Sequence, residues 1–574
     1  MLLTPFSVLV VTPALALLSG ILIVLYQWVD VLIRRRRLPP GPFPLPLVGN
    51  LFQLPREKQW CKLEEWSKVY NSPIITYWEG CKATIVCNDA WTISELNDRR
   101  ANIYSSRPYK TVTGKLFGLY DMNQAGLPYG DRWRLHRRLT HAATNASIVH
   151  NYQPFQGQEA KILVNDCLER PESFVDAVDR YTVSVVSTIA WGRRIRAYDD
   201  PVLRVAQAFV GSSSLALPGR CWTEAIPILA DMPNCLNTLP AMMKTLATSS
   251  NKYFYALCEE GAKQPEDNFA KRLIREGEDG LGRIDIANLT GNFMGAGVDT
   301  TSSSLLSCIL AMCLFPDVQA KAHVELDRVV GQDRSPAWSD ENQLEFIYAL
   351  VQETLRWRPV FPLGGPQHCP IQDDEYQGYR IPKGTPILGN LYAINRNPRE
   401  YPEPLEFRPE RFIGDLERPY PNKKGHNVFG WGRRVCSGES LAQQSLFFTI
   451  ACLLWAFEIR PGLDKDVSFC SSTNIFDTKK VTPKGDNSKR LTCETKQGKE
   501  LKLDPEAYNN MQVNRPLPFK ARFIPRSQKI AKIIKDDAAA ATEFLKKYDG
   551  ETKVTKENAQ SVALEAVTPA IEKA

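Results

Sequence analysis

Histidine is scarce in this chain, with six among 574 residues, which argues against a multi-histidine metal centre. The fourteen cysteines are scattered and none forms a Cys-x-x-Cys pair. Zinc-ribbon and thioredoxin-like readings are therefore weak, and an intracellular, reduced catalytic domain is the simpler one. Charge of one sign is also lacking. A net charge of +7 is mild for the length and does not suggest a nucleic-acid binder, while a local basic patch for an acidic protein partner stays open. With 43% hydrophobic and 24% charged residues, wholesale disorder is excluded, and the length allows a large core and more than one folded unit.

No charged residue interrupts Phe6 to Tyr26, and apolar character continues to Ile33. The run matches the roughly 20 residues that cross a bilayer. No lysine or arginine precedes it, and Arg34 to Arg37 follow directly. A cleaved signal peptide has its positive charge first and a shorter apolar core; this order predicts an anchor with the rest of the chain on the cytosolic side. Leu38-Pro39-Pro40-Gly41-Pro42-Phe43-Pro44 comes next, too proline-dense for a helix.

Proline is absent again from Ile284 to Phe315, and Pro316 closes that run. Such a helix is long enough to cross a domain. Its middle, Gly295-Ala296-Gly297-Val298-Asp299-Thr300-Thr301, carries weak helix formers and one acid, so a local kink is expected. Another helix is expected from Leu344 to Arg358. Glu353 and Arg356 share a face there; alone they would be a surface pair worth about 0.5 kcal/mol or less. Strands are expected at 74–77 and 84–86 around Gly80.

One stretch organises the rest. Phe429 to Gly438 reads Phe-x-x-Gly-x-Arg-x-Cys-x-Gly, and an apolar helical run from Leu441 to Phe457 follows. A lone cysteine is usually a buried small hydrophobe. Here a helix N-terminus would aim its N–H groups back at the sulfur of Cys436, which favours a thiolate. Together with Gly-x-Asp-Thr at 297–300, Glu-x-x-Arg at 353–356 and Pro409-Glu410-Arg411-Phe412, this pattern resembles the cytochrome P450 family over roughly residues 39 to 527.

The resemblance implies a mainly α fold with a small β region, with haem b between the long central helix and the helix that follows the cysteine loop. It makes Cys436 the iron ligand, framed by Phe429 and Gly438. Trp133, Arg137, His368 and Arg434 would meet the haem propionates. Ala296 would face the haem, and Asp299 and Thr300 would serve oxygen activation and proton delivery. Glu353, Arg356 and Arg411 would form a buried network for folding. Phe117, Tyr120, Phe293, Val360, Phe361, Leu363 and the turn near 509–513 would lie at the substrate pocket. His368 has a plainer alternative as a surface residue at a strand start.

The implied organisation is a transmembrane anchor (1–33), a basic and proline-rich hinge (34–50), a haem-thiolate monooxygenase domain (51–527) and a charged C-terminal tail (528–574). Within the tail, Ile530 to Tyr548 is expected as a lysine-rich amphipathic helix in a soluble appendage. Residues 470–505 are expected as an exposed insertion. The implied activity is insertion of one oxygen atom into a lipophilic small molecule at the endoplasmic reticulum membrane. NADPH would supply electrons through a cytochrome P450 reductase, with cytochrome b5 as a candidate second donor. The placement is among fungal members, in secondary or xenobiotic metabolism. A peroxide-using isomerase or dehydratase and a haem carrier or sensor remain the competing functions.

Overall fold

A computed structural model describes residues 5–550, apart from 199, 204, 206–216, 218–219, 278–279 and 465–497. Most of the expected insertion at 470–505, and the end of the tail from 551, lie outside these residues. Helix α1 (Pro5–Arg35) has the length and composition to cross a membrane: Leu17–Arg35 has a mean hydropathy of 1.7 and is almost entirely unburied. Its foot is fastened to the domain. Trp28 Nε1 donates to the Pro44 carbonyl at 3.1 Å, and Arg34 and Arg35 donate to the carbonyls of Cys81 and Gly41. The proline-rich stretch is packed as well as stiff. A Cβ on Gly41 would stand 1.8 Å from the Thr76 carbonyl oxygen, so only glycine fits there.

Strands β1 (Ile74–Glu79) and β2 (Lys82–Cys87) form the expected hairpin around Gly80. β3 (Asp374–Tyr376) and β4 (Tyr379–Ile381) make a second hairpin, and β5 (Ile387–Gly389) runs parallel to β2. β6 (Phe457–Pro461) pairs with β7 (Ala521–Pro525). Helices make up most of the remainder. Those that build the site are α2 (Asp131–Thr144), α3 (Gln153–Glu169), α4 (Phe174–Trp191), α5 (Arg283–Leu314), α6 (Glu345–Trp357) and α7 (Glu439–Ala456). The fold is mainly α with small sheets, as the resemblance implied.

Helix α5 is apolar on most faces because protein surrounds it; among the described residues it is the one other helix apolar enough to span a membrane, and it is buried instead. It lies against α4 so closely that a Cβ on Gly297 would come within 2.4 Å of Val186 Cγ1. Through 295–301, where a local kink is expected, the helix continues without interruption from Arg283 to Leu314. What occurs there is local: Thr300 Oγ1 donates to the Ala296 carbonyl at 2.5 Å, a side-chain bond of the kind that bends helices gently.

Helix α8 (Gln528–Leu545) corrects the reading of this region as a soluble appendage. Ser527 caps it, accepting from the Ile530 N–H at 3.1 Å. Ile530, Ile534, Ala538, Ala541 and Leu545 then form one buried stripe against α3. Lysine density misled the sequence reading, because the lysines occupy the other face and pair across the groove (Lys535 with Glu169 at 2.8 Å). Replacing Ile534 with alanine is expected to cost about 2–5 kcal/mol, read as a lowered unfolding midpoint. A shift near zero would return the helix to appendage status.

Candidate functional site

A cavity of about 510 Å³ lies where α5 meets the loop that precedes α7. That loop is shaped by a short 3₁₀ turn at Gly432–Arg434 and by the Cys436 N–H, which donates back to the Phe429 carbonyl at 2.8 Å. Gly432 has φ +53°, and a Cβ there would sit 2.1 Å from the Asn97 carbonyl oxygen; its N–H is held by Asp98 Oδ1 at 2.5 Å. Folded this way, the loop presents Cys436, Phe429 and Gly438 to the cavity.

The Cys436 sulfur opens onto the cavity but lies deep in the protein. Burial pushes its thiol up. The Gly438 N–H at the start of α7 pulls the other way, helped by the charges of Arg137 and Lys424. The Glu439 carboxylate adds to the push of burial, and in the protein alone the upward shift wins.

Three guanidinium groups line the same cavity, and among the described residues none has a carboxylate partner. Arg137 donates to the Val435 carbonyl at 2.6 Å. Arg434 donates to the carbonyls of Ser105, Leu127 and Gln124 and stacks on Trp133, 4.4 Å from the ring centroid. Arg107 donates to the carbonyls of Ala125, Pro366 and Gln367. Burial drives Arg434 down to about 8, with repulsion from Arg107 and Arg137 adding to it; burial drives Arg107 down to about 10. Buried cations without anions are costly. This cluster fits a ligand carrying carboxylates, and with the Cys436 sulfur it fits an iron porphyrin with two propionates.

The site residues expected from the sequence fall as follows. Cys436, Phe429, Gly438, Arg434, Trp133, Arg137, His368, Ala296 and Thr300 all line the cavity. Trp133 and Arg137 lie one turn apart on α2, which brings both to the cysteine loop. His368 is buried, not a surface residue. Its Nδ1 donates to the Tyr104 carbonyl at 2.9 Å, so the neutral ring has only a lone pair left on Nε2. Burial, then the nearby charges of Arg107 and Arg434, hold it well below the usual histidine range. His368, expected to meet a propionate, is thus held toward its neutral form in the protein alone, with the Arg107 cation beside it.

Asp299 is not part of the cavity lining but stands behind it on α5. Burial pushes its carboxyl up to about 6, Arg515 pulling down and Asp179 pushing up. Asp179 on α4 grips Arg515 with two bonds of 2.9 Å, and Arg515 also reaches Ser302 Oγ at 3.3 Å. An acid poised near 6 can hold or release a proton at neutral pH. The sign for stability follows. The folded pKa lies above the unfolded value of 3.8, so the folded state binds the proton more tightly, and stability falls as pH rises from about 4 to about 6. Asp299→Asn is therefore expected to gain roughly 1–3 kcal/mol on the native chain between those limits, measured by denaturation at both ends. A gap independent of pH would refute the raised carboxyl.

Of the expected pocket residues, Tyr120, Phe293, Val360, Phe361 and Leu363 line the cavity, as do Met511, Gln512 and Val513. Phe117 does not; it packs with Val112, Leu116 and Met243 in a separate cluster. Arg107, Asp179 and Arg515 were missed. The one sequence signal for Arg107 is a cation inside a loop that otherwise runs to small and ring-bearing residues (Ser105 to Tyr109), which is weak.

The sequence profile of the family described as Cytochrome P450 matches residues 39–484. Similar curated proteins include the cytochrome P450 monooxygenase criE of Aspergillus cristatus, 36% identical over 441 residues, 76% of this chain and 80% of the relative. Cytochrome P450 monooxygenase 58 of Postia placenta is 33% identical over 477 residues, 81% and 90% of the two chains. The cytochrome P450 monooxygenase peniB of Penicillium patulum is 30% identical over 508 residues, 88% of each.

Proposed function

This chain belongs to the cytochrome P450 family, and from that premise we propose that it inserts one atom of dioxygen into a lipophilic small molecule at the cavity beside Cys436. It is a monooxygenase and therefore an oxidoreductase. The family implies haem, and when bound the haem supplies the oxygen chemistry. The observation that carries the reading is one cavity lined both by the Cys436 sulfur and by three guanidiniums that, among the described residues, lack carboxylate partners.

The residues then divide the work. Cys436 would ligate the metal from the loop that Gly432 allows to fold. Arg107, Arg137 and Arg434 would hold the propionates, with Trp133 stacked on Arg434. Thr300 lines the cavity with its hydroxyl proton given to the Ala296 carbonyl, which leaves its oxygen as an acceptor, and Asp299 behind it takes up and releases a proton near neutrality. Val185, Val186, Phe293, Val360, Phe361 and Leu363 give the pocket apolar walls that exclude water and suit a lipophilic substrate.

Electrons are proposed to come from NADPH through a reductase, with cytochrome b5 as a second donor. Arg433 is exposed beside the cysteine loop and stacks on Tyr129, so it offers a cation to an acidic redox partner. Helix α1 and the arginines after it support an endoplasmic reticulum anchor with the catalytic domain in the cytosol. Removing residues 1–33 is expected to move the protein from the membrane to the soluble fraction, and full membrane retention would defeat the anchor. A role in secondary or xenobiotic metabolism is proposed from the family resemblance; the relatives named above are fungal monooxygenases.

The test is the absorption spectrum of the reduced, carbon monoxide-bound protein, with NADPH consumption measured beside added reductase. The long-wavelength band of a thiolate-ligated haem supports the reading. Haem ligated by nitrogen, or no haem, overturns it. Turnover of peroxides without reductase would favour the isomerase or dehydratase.

A further inference from the structure

The apolar walls of the cavity carry one polar group whose orientation is imposed from outside. Asn123 is 2% exposed and lies just after a short helical turn. Its backbone carbonyl accepts from the N–H groups of Gly126 and Leu127 at 2.9 and 2.8 Å. Its side-chain Oδ1 accepts from the Ala125 N–H at 2.9 Å. That bond settles which way the amide faces, because the reversed amide would set N–H against N–H. Asn123 Nδ2 must then be a donor, and it donates to Asn292 Oδ1 on α5 at 2.6 Å. The consequence passes to Asn292. Its oxygen is engaged, so its Nδ2 is turned the other way, and Asn292 lines the cavity. Among the described residues no acceptor is within bonding distance of that nitrogen.

Two other polar groups of the lining are engaged with the protein itself. Lys110 faces Glu79 at 3.6 Å, and Gln124 Oε1 accepts from Thr140 at 2.6 Å. Asn292 shares a helix face with Ala296, one turn on, and with Thr300, two turns on. It therefore stands about 6 and 12 Å along the axis from those residues. Phe293 on α5 and Val185 and Val186 on α4 give the same cavity apolar surface.

We propose that Asn292 Nδ2 is a substrate-selecting donor, and that the substrate is a lipophilic molecule with a carbonyl oxygen on the order of 10 Å from the carbon that is oxidised. The proposal rests on the haem-thiolate reading of the cavity. Its basis is an asymmetry of cost. A ketone, ester or lactone satisfies the N–H, whereas a bare hydrocarbon of the same shape leaves it buried and unpaired. Asn123 is a positioning residue in this scheme, and Asn292 is the group that touches substrate.

A ruler made of ligands tests it on the haem-loaded, full-length protein. The probes are 1-alkylimidazoles of one chain length, each with a single ketone at a different carbon, beside the ketone-free parent. The imidazole binds the haem iron and reports its dissociation constant through the absorption shift, so no turnover is needed. In the native chain one ketone position is expected to bind about three- to tenfold tighter than the parent. In Asn292→Leu that maximum disappears while the parent binds at least as well. Asn292→Asp, of the same size, offers only acceptors, so the best ketone weakens and the alcohol at the same carbon gains. A native profile without a maximum, or a maximum that survives in Asn292→Leu, overturns the proposal. Failure of every imidazole to shift the spectrum removes the haem reading, and this proposal with it, and is told apart by that total silence.

Discussion

Cys436→Ala is expected to abolish monooxygenation while leaving the fold in place. The thiol contributes little to the core, because its sulfur opens onto the cavity and does not pack among side chains. The loop is held by backbone bonds that alanine keeps: the Cys436 N–H to the Phe429 carbonyl, and the Gly432 N–H to Asp98. The circular dichroism and the unfolding midpoint of the haem-free protein should therefore match those of the native chain. Among the described residues Cys436 is the only cysteine that lines the cavity, so no other thiol takes over. Any haem still bound through Arg107, Arg137 and Arg434 would lose the spectral band of thiolate ligation when reduced with carbon monoxide. Unchanged turnover in the purified variant would sink the ligand assignment.

The second large effect is on stability. Glu353 and Arg356 on α6 are fully buried, and Arg411 nearly so. Glu353 accepts from Arg356 Nε and Nη2 at 2.7 Å each and from the Arg408 N–H at 2.8 Å, and it pairs by charge alone with Arg411 Nε at 3.5 Å. Arg356 also donates to the carbonyls of Asn395, Pro404 and Glu406. One carboxylate thus balances two interior cations and ties α6 to the segment that leads toward the cysteine loop. Glu353→Ala removes the anion and strands both charges, at an expected cost of roughly 3–5 kcal/mol. The measurements are the unfolding midpoint and the haem content of the purified protein. Glu353 is not part of the cavity lining, so activity per bound haem should persist. Normal haem content with a normal midpoint would show the network to be dispensable. A triple replacement by apolar residues (Glu353→Met, Arg356→Met, Arg411→Leu) should recover most of the loss, since no charge is then stranded.

Much of this is legible in the amino-acid sequence. The cysteine loop could be read because its residues are neighbours in the chain, and the spacing of glycine, arginine and cysteine is itself the geometry of the turn. The central helix was legible from its proline-free length, and Trp133 with Arg137 from their one-turn separation. The pairing of Glu353 with Arg356 was also visible, yet its burial was not: the same two residues on an exposed face would be worth little. Lysines on the outer face of α8 hid a buried stripe, because composition averages over faces that packing separates.

Covalent spacing therefore determined by itself the cysteine loop, the main helices, the apolar N-terminal segment and the resemblance that points to haem-thiolate chemistry. The tertiary structure alone decided which groups lose water and what then surrounds them. It brought Arg107 beside Arg434 across more than three hundred residues, took the charge from His368, and set Asp299 near neutrality behind Thr300. It also turned the Asn292 amide through a backbone N–H at Ala125. The physical reason is desolvation. The charge a side chain carries and the direction an amide faces depend on every neighbour that displaces water, and those neighbours come from segments remote in the chain.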